Sequence, residues 1–190
     1  FNKEINSVDD LKGLKMRIPG FGGEVLSRVG GTPVTTPASE MFTALQNGTI
    51  DAAEWVGPMN DLASGLFRAA KYYYYPGWQE PGSALEGIVN AEAYAGLPAD
   101  LQAIVRYACQ AATTDMYAEF EAHNGDALQT LVQEHGVELR AFPDEVLAEL
   151  QRASLEMLEE QAAADPMSAK VWTSLKDYFG KVSAWTAVSS

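Results

Sequence analysis

Apolar and charged positions alternate over Leu14-Lys15-Met16-Arg17-Ile18, the two-residue period of a strand with one face in a core. Ahead of it, Ser7 can cap a single helical turn whose acidic first residues are Asp9 and Asp10, and Gly13 ends that turn. Pro19 to Gly23 reads as a glycine-rich turn, Glu24 to Val29 as a short helix and Gly31 to Thr35 as a second strand. Thr36 and Pro37 then cap a helix to Gln46, which Asn47-Gly48 closes before a third strand from Thr49 to Trp55. The order β-α-β-α-β is that of a parallel sheet.

Further along, Asn60 to Arg68 has helical spacing, the four tyrosines Tyr72 to Tyr75 favour a strand with two rings on each face, and Ser83 to Asn90 is apolar enough for another strand. From Pro98 onward the three-and-four period dominates. Leu101, Ile104, Val105, Ala108, Ala112 and Met116 predict a long helix to about Ala122. A second helix is expected from Asp126 to His135, a strand from Val137 to Phe142, a helix from Pro143 to about Ala164 and a last one through Val171, Leu175, Phe179, Val182 and Trp185. The expected fold is α/β, a periplasmic-binding-protein-like lobe with a short, largely parallel sheet followed by long C-terminal helices. The expected division is residues 1–97 as an α/β ligand-binding lobe and 98–190 as a helical segment with one strand.

With 190 residues, 47% of them hydrophobic, the chain can bury a real core. A formal charge of -13 repels nucleic acid and anionic membrane, so neither is an expected partner, and a small anion needs a local cation to be held. The single cysteine, Cys109, excludes an internal disulfide and is expected in the core. No stretch approaches the ~20 apolar residues of a membrane span.

Candidate chemistry gathers at predicted strand ends, where open α/β sheets bind ligands. Arg17 precedes the turn after the first strand, where a guanidinium grips a carboxylate through two parallel hydrogen bonds; its alternative is a solvated strand charge. Glu54 and Trp55 end the third strand, and Trp78 and Glu80 follow Pro76-Gly77; packing and solvation are the alternatives for each. Gly20-Phe21-Gly22-Gly23 lacks dinucleotide-binding spacing. With only His123 and His135, and no nucleophile-base motif, no catalytic residue is proposed. Carboxylates without histidine or thiol partners suit a hard cation such as Na⁺ or Ca²⁺.

Three stretches, Asp9 to Ile18, Ala44 to Pro58 and Tyr72 to Trp78, together resemble the solute-binding proteins of tripartite ATP-independent periplasmic (TRAP) transporters, and most of all the branch that binds 2-oxo acids such as pyruvate. The resemblance covers nearly the whole chain but only the second half of the family's length, so its N-terminal lobe is expected to be absent. It implies a periplasmic receptor, not an enzyme, that closes on a small carboxylate and hands it to the membrane subunits of the transporter. It also implies that Arg17 clamps the carboxylate, that Glu54, the Trp55 carbonyl and Glu80 hold a bridging Na⁺ or Ca²⁺, and that Trp55 and Trp78 wall the pocket. Bare apolar surface makes a homodimer a further expectation. The rival functions are a metal-assisted hydrolase or lyase using Glu54 and Glu80, and a helical self-association module.

Overall fold

The computed structural model describes residues 1–82 and 85–189. After a 3₁₀ turn at Val8–Leu11, strands β1 (Lys15–Arg17), β2 (Thr32–Val34) and β3 (Ala52–Ala53) form a parallel sheet in the order β2-β1-β3, with helices α1 (Gly20–Arg28) and α2 (Ala38–Gln46) as crossovers. One face carries the main core, where Leu14, Met16 and Ile18 meet Val25 and Leu26 of α1. The other face carries Met41, Ala44, Leu45 and Ile50, packed with Val34, Ala53 and Trp55. Both faces being covered, the polar side of β1 is not uniformly wet: Lys15 is exposed, whereas the Arg17 side chain is only 14% exposed.

Helix α3 (Pro58–Ala63) and a 3₁₀ turn at Leu66–Arg68 lead to β4 (Tyr72–Tyr75), which pairs in parallel with β5 (Glu138–Ala141). Between them run α4 (Ala91–Ala95), the 31-residue α5 (Ala99–Gln129) and a π-helical turn at Thr130–Glu134. Helix α6 (Asp144–Ala164) places Val146, Leu150, Ala153 and Met157 at four- and three-residue steps into the main core, beside Phe142. Helix α7 (Pro166–Ser189) packs along α6. The fold class is therefore the α/β lobe with short parallel sheets and long C-terminal helices that the sequence predicts.

Several element expectations change. The glycines after β1 open α1 instead of forming a turn: Gly20 takes a positive φ of 58°, and a Cβ on Gly23 would stand 2.7 Å from the Ile18 carbonyl oxygen, so glycine lets the helix lie directly on the strand. Pro37, not Thr36, is the N-cap of α2. The third strand shrinks to Ala52–Ala53, the length over which β1 offers it a partner, and the helix expected over 60–68 breaks where Gly65 adopts a left-handed conformation. In the strand expected from Ser83 to Asn90, residues 85–90 have no regular structure, and Ser83 and Ala84 lie outside the described residues. The helices expected on either side of Asp126 are one, because Gly125 is held inside the hydrogen-bonded ladder of α5. Cys109 is exposed, not core, and Leu101 and Ile104 are exposed as well, since α5 turns most of its apolar stripe away from the rest of the chain.

Candidate functional site

Parallel register sets the site. The Glu54 amide donates to the Arg17 carbonyl at 3.1 Å, so the two residues leave adjacent strands side by side at the carboxyl end of the sheet. Chain order places β2 and β3 on opposite sides of β1, making this a topological switch point, the crevice in which open α/β sheets bind ligands.

There Arg17 and Glu54 form an ion pair, the Nη1 of Arg17 donating to Oε1 of Glu54, whose side chain is 9% exposed. Two backbone acceptors complete the cradle: Nη1 also donates to the Glu54 carbonyl at 3.3 Å and Nε to the Thr36 carbonyl at 3.3 Å. The guanidinium carbon lies 5.5 Å from the centre of the Trp55 ring, within cation-π range. Burial pushes the Glu54 carboxyl up from its ordinary value; the Arg17 charge opposes that rise, and the charge of Glu80 adds to it. Glu80, although exposed, is therefore electrostatically coupled to Glu54.

Beside this pair lies a cavity of about 460 Å³ whose walls include Glu54, Trp55, Asp61, Tyr73, Trp78 and Gln79. Arg17, paired with Glu54, is not itself one of the residues that line the cavity. The structure thus brings together Arg17, Glu54 and Trp55 directly, sets Trp78 in the same cavity wall, and leaves Glu80 near by on the loop after β4. Asp61, near the start of α3, is the titratable neighbour that sequence reasoning missed, since an acid in a first helical turn reads as solvated. It is 9% exposed, accepts from the Tyr73 hydroxyl at 2.5 Å, and has its pKa pushed up to about 6 by burial, against the opposing effect of the Tyr73 hydrogen bond. Loss of hydration pushes the Tyr73 hydroxyl upward as well, and the charge of Asp61 adds to that rise.

The donor set suits a hard cation. Two carboxylates and the Trp55 carbonyl, which accepts no backbone hydrogen bond among the described residues, are all oxygen ligands. No group of three or more His, Cys, Asp or Glu side chains arranged for a metal occurs among the described residues, so a full shell needs further oxygens beyond these side chains.

Residues 1–165 match the bacterial extracellular solute-binding proteins, family 7. The chain belongs to this family. It is 43% identical over 189 residues to the monocarboxylate 2-oxoacid-binding periplasmic protein of Nostoc sp. strain PCC 7120, covering 100% of this chain and 52% of that one. A TRAP periplasmic solute-binding protein from Colwellia psychrerythraea, solved with calcium and pyruvate, superposes with a TM-score of 0.95 at 50% identity over 100% of this chain and 58% of its own. One from Pseudoalteromonas atlantica T6c, solved with sodium and pyruvate, gives 0.93 at 49% identity over 100% and 57%. The chain thus spans little more than half the length of these relatives. Family 7 proteins are solute-binding receptors, and the fold here is shared with them.

Proposed function

We propose that this chain is the ligand-gripping part of an extracytoplasmic receptor for a small monocarboxylate, a 2-oxo acid such as pyruvate or a hydroxy acid such as lactate. In this reading a Na⁺ or Ca²⁺ bridges ligand and protein, and the receptor, working in the periplasm, delivers its cargo to the membrane subunits of a TRAP-type transporter without chemical conversion. The observation that carries it is the cradled Arg17 guanidinium beside Glu54 and under Trp55, at the carboxyl ends of parallel strands. An anionic protein needs such a site to hold an anion: one desolvated guanidinium, with the fork geometry of a carboxylate partner, inside a surface that otherwise repels it.

Residue by residue, Arg17 supplies the two-pronged clamp, and Trp55 and Trp78 exclude water and pack the short carbon skeleton. Glu54, the Trp55 carbonyl and Glu80 would hold the cation, which supplies a second positive charge for the carboxylate and keto oxygens. The binding residues sit in residues 1–97, whereas the helical 98–190 segment contributes β5, which pairs with β4, and α6, whose apolar face packs into the main core. Two similar solved structures carry pyruvate with calcium or sodium, which supports the same ligand class here. Calorimetric titration of pyruvate, lactate and a dicarboxylate control, each with Ca²⁺ or Na⁺, tests the assignment. Stoichiometric binding of the monocarboxylates with no turnover is expected; a dicarboxylate preferred over both, or product formation, refutes it.

A further inference from the structure

We infer that Glu54 is an internal stand-in for the ligand carboxylate, and that by occupying Arg17 it makes carboxylate binding conditional on the cation. This rests on the function proposed above and concerns how the same site is regulated. The Arg17 guanidinium has two sorts of partner. Its backbone acceptors, the carbonyls of Thr36 and Glu54, follow strands β2 and β3 and are main-chain atoms with no side-chain rotation to move them. Its anionic partner, the Glu54 carboxylate, is on a rotatable side chain in the cavity wall. The indole of Trp55 lies against the guanidinium, and both side chains of the pair are largely shielded from water.

Charge balance then sets the binding order. With Arg17 and Glu54 paired, the guanidinium charge is cancelled and the site presents no free cation to an arriving anion. A carboxylate arriving alone must displace Glu54 and leave that largely buried anion without a partner, which is costly. A metal ion arriving alone must take the Glu54 oxygens while the guanidinium still lies against them, so the two positive charges repel and Arg17 is left unpaired. Arriving together, the two restore balance: Glu54 turns to the metal, Arg17 turns to the ligand, and the backbone cradle keeps the guanidinium aimed throughout. Cation and carboxylate are therefore coupled ligands, and the coupling is reciprocal. Glu54 has two opposed roles, ligand to the cation and competitor of the substrate.

The opposition gives a signature that ordinary metal ligation lacks. In wild type, chelation should weaken pyruvate binding by about tenfold or more, the loss of a charge-assisted hydrogen bond. Glu54→Gln removes the competing charge, so in chelator this variant should bind pyruvate about tenfold more tightly than wild type in the same chelator, and added calcium should no longer change its affinity. Glu54→Ala, which cannot hold the guanidinium at all, should behave alike, and circular dichroism checks that both variants keep their helices. Titrations of ¹³C-pyruvate by NMR on the three proteins, each with calcium or with chelator, read all six combinations. Calcium-dependent binding by wild type with no gain from either substitution in chelator overturns the inference and leaves the receptor function standing. Binding by neither wild type nor variants under any condition overturns both.

Discussion

A single guanidinium carries most of the proposed recognition. Arg17→Lys would keep the charge but not the planar fork, and a lysine ammonium cannot serve the Thr36 and Glu54 carbonyls while also facing a carboxylate in two places. We expect a loss of about ten- to a hundredfold in pyruvate affinity with calcium present, measured by calorimetry, with an unchanged fold. Asp61 makes a different prediction. Its folded-state pKa of about 6 lies above the ordinary 3.8, so the folded state keeps a proton that the unfolded chain has lost between those values. Its contribution to stability is complete below pH ~4, declines as pH rises through about 6, and stays lost above that. Asp61→Asn, neutral at every pH and still able to accept from Tyr73, should remove this slope and raise stability at pH 7.5 by about 1–3 kcal/mol, with little change at pH 4. Urea unfolding midpoints of both proteins at the two pH values test it; a parallel shift at both would assign the effect to packing instead. Arg17 was recognisable as a candidate from its place at a strand end, but its partner was not, because the Arg17–Glu54 contact spans 37 residues and depends on strand register. Asp61 was unreadable for the same reason: its burial comes from Tyr73 and the neighbouring walls, not from its own helix.

Among the elements, the Gly57–Pro58 turn connects the site to the helical half. The Met59 amide, at the start of α3, donates to the side-chain oxygen of Asn124 on α5 at 3.0 Å, an acceptor supplied across 65 residues for one of the amides that a helix leaves unpaired at its start. Asn124→Ala should cost about 1 kcal/mol in denaturant unfolding, and Asn124→Asp, which retains the acceptor, should recover most of it. Equal losses in both variants would mean that the contact contributes nothing. The tyrosine strand shows what local pattern does and does not convey. Its alternation correctly places rings on both sides: Tyr73 reaches Asp61, and Tyr74 stacks on Phe142 at 4.8 Å while accepting from the Ile5 amide. Its parallel pairing with β5 joins segments on either side of α5, which no local signal encodes.

At the scale of the molecule, the surface is uneven. Helix α7 has no buried residue, and Val171, Leu175, Phe179 and Trp185 are each at least half exposed along it; α5 adds Ile104 and Tyr107. Apolar stripes of this extent favour association. We expect the 20.5 kDa chain to sediment as a dimer or larger species at tens of micromolar, and Phe179→Glu with Trp185→Glu to shift it toward monomer. A wild-type monomer throughout that range would show that the stripes tolerate water. Such association would be consistent with the self-association expected from the sequence and does not compete with ligand binding, since the site lies at the sheet's carboxyl end and the stripes lie on the helices.

Local pattern alone was enough to settle the α/β class, the order of the first five elements and the helical second half, because period, caps and turn residues act over a few positions. It also separated a cation-bearing strand end from the rest of an acidic chain. Contacts between distant residues lay beyond its reach. Folding decided that Arg17 is buried against Glu54 and that Gly23 is a close-packing residue within a helix. It also determined that Asp61 is desolvated and that the periodic face of α5 meets water. Each of these depends on which segments lie side by side, and periodicity says which face of an element is apolar without saying what, if anything, will cover it.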